Sequence, residues 1–252
     1  MSATVAGSVA VVTGGNRGIG RAFVEELLAR GANKVYCGAR DPEDIPDELL
    51  VAGALALRLD VTSEDSVAEA AANCADATVV INNAGLHGRD RLIFASDSKM
   101  ARQEMEVNYF GPLNMIRAFA PVLAANGGGA VVNVLSVAGA IPTAFMGGYS
   151  PAKSAALFLS IIARAELEPA ATSVTALVVG SVDTRMADHV EGTKEDPRDI
   201  AVAGLKAMER GERIFDTDRM AVEARAKYAL DPVRWERGMA KVLGNPVIKT
   251  GR

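Results

Sequence analysis

The chain has 252 residues, of which 49% are hydrophobic, and a formal net charge of −4 that results from 27 basic and 31 acidic residues. A chain of this size and composition can bury a substantial core, as one large α/β domain or two small ones. The charges are spread along the sequence without a basic block, so neither nucleic acid nor an anionic membrane surface is predicted as a partner.

The N-terminal stretch MSATVAGSVAVVTGG has no basic region of the kind that opens a signal peptide. No other stretch approaches the roughly 20 apolar residues that a bilayer span needs, so a cytoplasmic protein without a membrane segment is predicted. Cys37 and Cys74 lack the spacing of a disulfide framework, and we expect buried, inert thiols. No His, Cys and Asp residues have metal-ligand spacing, so no metal site is predicted.

Short β-branched apolar runs alternate with longer helical patterns. The runs are SVAVVT (8–13), NKVYCG (33–38), ALALRL (54–59), ATVVIN (77–82), AVVNVL (130–135) and SVTALVV (173–179). This alternation predicts repeated βαβ units and a parallel sheet that is covered by helices on both faces. No repeat or linker divides the chain, so residues 1–252 are expected to form a single domain.

The pattern changes after about Thr184. Between residues 185 and 235 no further strand is predicted, and charged, helix-like segments such as EGTKEDPRDIAVAGLKAMERGERIF take over. We interpret this region as a helical insertion beside the C-terminal edge of the sheet. An insertion at that edge would cover a bound ligand.

A glycine-rich turn follows the first predicted strand and precedes the first predicted helix. Its glycines would let the backbone turn tightly and approach a pyrophosphate, with the positive end of the helix behind it. Its place in a βαβ series favours a dinucleotide site over an ordinary strand-to-helix turn. The candidate cofactor residues in this turn are Gly14, Asn16, Arg17, Gly18, Ile19 and Gly20.

The end of the second strand distinguishes the two nicotinamide dinucleotides. A carboxylate there would bind the ribose hydroxyls of NAD, whereas a guanidinium suits the 2′-phosphate of NADP. This strand ends in Ala39 and Arg40, and Arg17 lies in the glycine turn, so NADP(H) is favoured over NAD(H). Asp41 directly afterwards weakens that preference, and Arg40 also fits a solvated surface position.

Three motifs occur together in chain order: the glycine turn, Asn82-Asn83-Ala84-Gly85 after the fourth strand, and Tyr149-x-x-x-Lys153 after the fifth. With these motifs the sequence resembles the short-chain dehydrogenase/reductase family over roughly residues 6–186. The resemblance implies a Rossmann-type, doubly wound parallel sheet of six to seven strands in a single domain. It also implies hydride transfer between NAD(P)(H) and a carbonyl or alcohol.

The same resemblance implies a catalytic set of Asn108, Ser136, Tyr149 and Lys153. The last two are four residues apart and share a helix face, where the ammonium is expected to lower the pKa of the phenol. Such a phenol would donate a proton to a carbonyl oxygen that Ser136 orients. Asn108 looks like the residue that interrupts its helix and holds a water linking Lys153 to solvent. Taken singly, these residues also fit turn or surface positions.

Further cofactor residues follow from the resemblance. Asp60 and Val61 match the position that meets the adenine, although an N-cap is the alternative for Asp60. Lys153, together with Tyr149, would reach the nicotinamide ribose. The loops after the fourth and sixth strands supply the remaining candidates, Asn83, Ala84, Gly85, Gly180, Val182 and Thr184.

The sequence departs from the family pattern at two places. Val179 stands before Gly180 where relatives commonly have proline, and this valine could loosen the turn. At the C-terminus only the short Pro-Val-Ile-Lys run at 246–249 is a candidate for the seventh strand with which relatives often end.

The candidate substrate pocket is mostly apolar, which favours a hydrophobic ketone, aldehyde or secondary alcohol. Its residues are Leu86, Val137, Ala138, Thr143, Met146 and Met186. His87, next to Leu86, is also named as a pocket candidate, but it is expected to be a surface loop residue rather than a catalytic base, and His189 receives no role. The predicted function is that of an NADP(H)-dependent carbonyl reductase or alcohol dehydrogenase. The alternatives are an NAD-preferring dehydrogenase of hydroxylated lipids or sugars and a non-catalytic, dinucleotide-binding redox sensor.

A homodimer or homotetramer is expected, with a dimer contact through the long helices around residues 101–123 and 149–167. The small residues of the second helix would allow two helices to approach closely. They fit nearly as well into packing against the sheet of their own chain. These residues are Ala152, Ala155, Ala156 and Ala163.

Overall fold

The computed structural model describes residues 3–244, and seven strands in that range form one parallel sheet. They are β1 (Val9–Thr13), β2 (Lys34–Ala39), β3 (Leu55–Arg58), β4 (Val79–Asn82), β5 (Gly129–Val134), β6 (Thr172–Val178) and β7 (Ile214–Asp216). The strand order is β3-β2-β1-β4-β5-β6-β7. The predicted doubly wound parallel sheet is confirmed, and each of the six predicted runs lies within two residues of its strand.

Helices connect the strands. They are α1 (Gly18–Ala29), α2 (Asp47–Val51), α3 (Glu64–Asn73), α4 (Lys99–Met105), α5 (Gly111–Ala125), α6 (Val137–Ala140), α7 (Tyr149–Leu167), α8 (Pro197–Glu209), α9 (Arg219–Leu230) and α10 (Pro232–Gly244). A π-helical segment, Glu106–Phe110, joins α4 to α5.

The strands are apolar because helices cover both faces of the sheet. On one face α1 packs against α8, with Phe23 and Leu27 fully buried between the helices and the sheet. On the other face lie α3, α5 and α7, with Met115 and Phe119 fully buried. Burial on both faces favours apolar side chains in the strand interiors, which explains the β-branched runs in the sequence; the buried Asn133 and Thr175 are polar exceptions.

The expectation that no strand lies between residues 185 and 235 is wrong. β7 pairs in parallel with β6, and α8 packs against α1 in the layer that covers the sheet. Residues 197–216 are therefore a further helix and strand of the sheet rather than an insertion. The short β7 escaped the sequence pattern because all three of its residues are only half-buried.

The last two helices of the described chain lie near the carboxyl edge of the sheet. α9 contacts α6, and α10 contacts the helical turn Ala144–Met146. The indole N–H of Trp235 donates to the carbonyl oxygen of Pro142 at 2.8 Å. These helices are the part of the expected insertion that lies beside the candidate site, and their role as a cover for substrate stays a prediction.

The strand candidate at 246–249 lies outside the described residues. Within residues 3–244, no helix combines the length and apolar character that a bilayer span requires.

Cys37 and Cys74 are fully buried, and burial raises the pKa of their thiols to about 11 and about 12. Both thiols are therefore neutral near pH 7, which agrees with the expected inert role.

Candidate functional site

The carboxyl ends of β1 and β4 lie side by side where the strand order reverses. The Asn83 side chain joins the loops that follow them, because its amide donates to the carbonyl oxygens of Thr13 at 3.0 Å and Gly14 at 3.1 Å. The Thr13 hydroxyl in turn accepts the backbone N–H groups of Asn83 and Ala84. The two loops therefore form one unit in the crevice where open α/β sheets bind ligands.

The glycine turn depends on positions without a side chain. Gly14 and Gly18 have φ values of +62° and +54°, which disfavour other residues. A Cβ on Gly20 would lie 2.1 Å from the Gly14 carbonyl oxygen. α1 begins at Gly18 with neither a side-chain cap nor an acidic residue in its first turn, so its N–H groups remain available to an anion. This arrangement fits the pyrophosphate of a dinucleotide.

The other residues of the turn differ in exposure. Asn16 is half-buried, Arg17 is exposed, and Ile19 packs against the core beneath α1. Arg40, directly after the buried Ala39 at the end of β2, is also exposed. The neighbouring carboxylate of Asp41 accepts the backbone N–H of Glu43 at 3.2 Å.

Asp60 and Val61 follow β3 at the same edge of the sheet. One carboxylate oxygen of Asp60 accepts the hydroxyl and the backbone N–H of Thr62, at 2.7 and 3.0 Å. Ser63, not Asp60, caps α3, so the N-cap alternative for Asp60 is wrong. Val61 is buried, and its carbonyl oxygen accepts the side-chain amide of Asn114.

The loop after β6 faces the glycine turn. Thr184 lies so close to Gly18 that a Cβ on the glycine would be 3.2 Å from the threonine methyl group. Val182 is buried and forms an isolated bridge with Glu195. The Gly180 N–H donates to Asp218 Oδ2 at 2.7 Å, so the turn that has valine in place of proline is tethered to the N-cap residue of α9.

The predicted catalytic residues converge at the carboxyl ends of β4 and β5. Tyr149 is the first residue of α7 and is 8% exposed. Ser136 is the N-cap residue of α6: its hydroxyl accepts the backbone N–H of Ala138 at 3.2 Å and also acts to lower the pKa of the Tyr149 phenol. The Lys153 Nζ lies 5.8 Å from the centre of the Tyr149 ring and donates to the carbonyl oxygen of Val134 at 2.8 Å. A hydroxyl, a phenol and an amine thus share one buried corner of the crevice.

The expectation that Lys153 lowers the pKa of Tyr149 is wrong for this structure. Burial raises the pKa of the Tyr149 phenol to about 12, and the Ser136 hydroxyl only partly offsets this rise. Burial also lowers the pKa of the Lys153 ammonium to about 8. Both shifts have the same main cause: the loss of hydration disfavours the charged form of each group, so it raises the phenol pKa and lowers the ammonium pKa.

Asn108 lies in the π-helical segment, where the helix was expected to be interrupted. Its side chain is fully buried and exchanges two hydrogen bonds with the backbone of Leu86, at 2.8 and 3.1 Å. The same amide also donates to the carbonyl oxygen of Glu104. Asn108 therefore fixes the loop after β4 beside the catalytic corner, whereas its link through water to Lys153 stays a prediction.

The pocket candidates have unequal positions. Leu86, Val137 and Met146 are half-buried around the catalytic corner, and Met186 is 39% exposed. The carbonyl oxygen of Met186 accepts the Arg89 guanidinium at 3.1 Å, which joins the loops after β4 and β6.

Ala138 and Thr143 belong to the packed interior beside α7. The hydroxyl of Ser150 donates to the carbonyl oxygen of Ala138, and the Thr143 hydroxyl donates to that of Ile141 at 3.3 Å. Both candidates are buried, at 1% and 8% exposed.

His87 was named with Leu86 as a pocket candidate, but the surface position expected for it is wrong, and its partner Glu104 was missed. The His87 side chain is only 6% exposed, and its ring centre lies 5.0 Å from that of Tyr149. The carboxylate of Glu104, 2% exposed, lies 3.5 Å from its Nδ1. The sequence contained a signal for the position of Glu104. Glu104 precedes Asn108 by four residues, so the two side chains are expected on the same helix face, and Asn108 was already predicted to point into the site.

Within the described range of residues 3–244, no group of three or more His, Cys, Asp or Glu side chains is placed to hold a metal ion.

Comparisons with known proteins agree with this geometry. A family model described as short chain dehydrogenase matches residues 8–195. The chain is 32% identical to the short chain dehydrogenase pigC of Monascus ruber over 216 residues, which cover 80% of this chain and 71% of that protein. It is 30% identical over 227 residues to the dehydrogenase/reductase SDR family member 7B of Mus musculus, covering 83% and 69% of the two chains.

The structure is also similar to the crystal structure of a short chain dehydrogenase from Burkholderia cenocepacia J2315 in complex with NADP. The TM-score is 0.89 with 40% sequence identity, and the match covers 94% of this chain and 98% of that chain.

Proposed function

The chain belongs to the short-chain dehydrogenase family of NAD(P)-dependent oxidoreductases, and from that premise we propose that it reduces a carbonyl compound, or oxidises the matching secondary alcohol, with NADP(H). The observation that carries the proposal is the convergence of Ser136, Tyr149 and Lys153. They lie beside the loop after β4, which is hydrogen-bonded to the glycine turn. A protein that only sensed the dinucleotide would have no need of a buried phenol next to a buried amine, which counts against the redox-sensor alternative.

Residues on the loops after β1, β2, β3, β4 and β6, and on α7, would hold the cofactor. When bound, NADPH supplies the hydride that reduces the carbonyl carbon. The backbone of the glycine turn and the open end of α1 would bind its pyrophosphate, as the fit of that turn to an anion supports. The other holding residues that we propose are Asp60, Val61, Asn83, Ala84, Gly85, Gly180, Val182, Thr184, Tyr149 and Lys153.

The side chains of the catalytic corner divide the proton chemistry among them. The Tyr149 phenol would give its proton to the carbonyl oxygen, and a pKa of about 12 keeps it protonated near pH 7, as a general acid requires. Ser136 would orient that oxygen toward the phenol. The Lys153 ammonium would stabilise the phenolate that remains after the proton has left. Asn108 would keep the loop after β4 in place.

The preference for NADP(H) rests on charge. Arg17 and Arg40 are exposed cations on the two loops that would flank the adenosine ribose, which suits a 2′-phosphate. The carboxylate of Asp41, which would favour NAD(H), is engaged with the N–H of Glu43. The similar Burkholderia structure holds NADP. An NAD-preferring dehydrogenase of hydroxylated lipids or sugars is therefore less well supported.

The first experiment is to measure NADPH and NADH oxidation side by side against a panel of aryl ketones, diketones, aldehydes and cyclic ketones. Tyr149→Phe should retain NADPH binding and lose roughly 100- to 10,000-fold in turnover, because it lacks the proton. Tyr36→Phe is the matched control, since Tyr36 lies on β2 and its hydroxyl contacts Asp76. Tight NADPH binding by the wild-type protein without turnover of any compound would favour the sensor.

We also propose that two copies associate through the outer faces of α5 and α7. A groove of about 470 Å³ lies between these helices, and Phe158 and Ile162 in its wall are 66% and 55% exposed. Large apolar side chains grouped in this way are typical of interaction surfaces. The same patch would face itself across a twofold axis.

The structure corrects the residues expected at this contact. Ala152, Ala156 and Ala163 are buried within their own chain, so the alternative of inward packing holds for them. Of the four expected alanines, Ala155 and Ala163 line the groove, and Ala163 is only 4% exposed there. The proposed contact therefore consists mainly of large apolar side chains.

A further inference from the structure

His87 occupies a place beside the catalytic tyrosine that the proton chemistry described above does not use. Its ring is tilted by 52° against the Tyr149 ring, with the centres 5.0 Å apart. The ring of His189 lies 6.2 Å away, and the His189 side chain is 40% exposed. His87 thus stands between the phenol and the outer part of the crevice, on the loop that also carries Leu86.

Glu104 sets the orientation of the imidazole. Its carboxylate oxygen Oε1 accepts the backbone N–H of Gly88 at 2.9 Å and lies 3.5 Å from His87 Nδ1. This Nδ1 is buried and has no hydrogen-bond partner in the described residues. A buried carboxylate is costly without compensation, so the arrangement favours the tautomer in which Nδ1 carries the proton and points at Glu104.

Fixing that tautomer has a direct chemical consequence. With the proton on Nδ1, the other ring nitrogen, Nε2, has a lone pair and can only accept a hydrogen bond. Two other polar groups of the catalytic corner have backbone partners: the Ser136 hydroxyl accepts the N–H of Ala138, and Lys153 donates to the carbonyl oxygen of Val134. The imidazole therefore adds one acceptor beside the phenol.

We propose that His87, oriented by Glu104, is a substrate-binding residue that accepts a hydrogen bond from a hydroxyl group on the carbon next to the reacting carbonyl. The preferred substrate class is then an α-hydroxy ketone, reduced to a vicinal diol. This inference rests on the proposed carbonyl reduction and narrows it. The hydroxyl of the substrate keeps its proton, and reduction still requires only one hydride and the Tyr149 proton.

The contact between His87 and Tyr149 explains why a hydroxyl group on the carbon next to the carbonyl would be recognised. A carbonyl oxygen that meets the Tyr149 hydroxyl brings its adjacent carbon close to the phenol, and His87 is the aromatic neighbour of that phenol. A site built to bond a hydroxyl rejects the analogue without it, because the acceptor is then left unpaired away from water. A plain ketone should therefore be the poorer substrate.

The test uses the matched compounds 2-hydroxyacetophenone and acetophenone with NADPH. For each protein we compare the ratio of kcat/KM for the two ketones, so that their intrinsic reactivities cancel between variants. His87→Leu should lower this ratio by roughly 10-fold, as the loss of one hydrogen bond predicts. His87→Gln, whose side-chain amide retains a hydrogen-bond acceptor, should have a ratio between those of the wild-type protein and His87→Leu. The control His189→Leu should leave the ratio unchanged.

Glu104→Gln tests the orienting role. It should also lower the ratio, and the double variant with His87→Leu should have the same ratio as His87→Leu alone, because the two residues act as one unit. A residue that was merely structural would lower kcat/KM for both ketones alike. An equal loss on both ketones in His87→Leu, or additive losses in the double variant, would overturn the proposal.

Binding separates this proposal from the reductase proposal. Both ketones are titrated into the NADP⁺-saturated protein, and calorimetry measures their affinity without turnover. Tighter binding of 2-hydroxyacetophenone that disappears in His87→Leu supports the His87 assignment even if no ketone is reduced. Turnover of both ketones with equal affinities supports the reductase and overturns the role of His87. Binding of neither ketone also overturns the His87 proposal.

Discussion

The carboxylate of Asp218 accepts the backbone N–H of Gly180 at 2.7 Å and joins the start of α9 to the turn after β6. Its other oxygen accepts the N–H of Ala221, so one side chain both caps the helix and holds the turn. A Cβ on Gly180 would lie 2.4 Å from this carboxylate, so the contact requires glycine. The valine that replaces the common proline is thus compensated by a tether from another helix.

Asp218→Ala should therefore impair cofactor binding more than chemistry. We expect KM for NADPH to rise several-fold with a smaller change in kcat, and a loss of about 1–2 kcal/mol in the free energy of unfolding from the missing cap. The control is Asp231→Ala, since Asp231 accepts the N–H of Arg234 at the start of α10 without contact to the turn. Steady-state kinetics and urea unfolding measure both effects. A similar rise in KM in the control would contradict the assignment.

The buried pair of Tyr149 and Lys153 predicts opposite pH profiles for the two directions. Reduction needs the phenol proton, which is retained up to about pH 12, and the Lys153 charge, which is lost as pH rises through about 8. Reductive kcat should therefore fall above about pH 8, whereas alcohol oxidation, which needs the phenolate, should rise with pH. The two profiles are measured with saturating cofactor. Reductive kcat that increases between pH 7 and 9 would contradict this account.

Arg40→Ala should discriminate between the two cofactors. Removing one charged contact to the 2′-phosphate predicts a roughly 10-fold loss of kcat/KM for NADPH and little change for NADH. Arg210→Ala is the control, because Arg210 is an exposed residue at the end of α8. Equal losses with both cofactors would place Arg40 outside the phosphate site.

Phe158→Glu should separate the copies of the proposed dimer. A carboxylate in the apolar groove between α5 and α7 would have to be buried without a partner on association. Sedimentation velocity should show a monomer for the variant and a dimer for the wild-type chain. Phe94→Glu is matched in type and exposure, since Phe94 is 83% exposed but lies on the loop before α4. A monomeric wild-type protein would refute the contact.

The strands and the glycine turn could be predicted because their signals are local. A β-branched run reports burial on both faces of a sheet, and glycine at position 20 reports a backbone contact with its own turn. β7 has no such signal, because its three residues are half-buried at the edge of the sheet. The alanines of α7 were ambiguous for a related reason: small residues fit both a helix contact and the sheet.

The catalytic corner was predicted only in part. The helical spacing of Tyr149 and Lys153 predicted that their side chains share a helix face. How deeply the two side chains are buried could not be predicted from the sequence, and this burial determines both pKa values. The contact between His87 and Glu104 joins a loop to a helix 17 residues later along the chain, so it forms only when the fold brings the two together.

Lys153 also makes the stability of the fold depend on pH in the alkaline range. Its folded pKa of about 8 lies below the ordinary value of 10.5, so between these values the unfolded chain binds a proton that the folded chain lacks. This contribution raises the free energy of unfolding as pH rises through that window, while Tyr149 and the two buried thiols, whose folded pKa values are raised, act in the opposite sense at higher pH.

Comparison with Lys153→Met isolates the lysine. The variant should be more stable than the wild-type chain by about 1–3 kcal/mol at pH 7, and this gain should shrink by pH 9.5, as urea unfolding at the two pH values would show. A gain that stayed constant would contradict the buried charge as its cause. The buried catalytic amine therefore lowers the free energy of unfolding, and a mutation that removes this destabilisation also abolishes the activity.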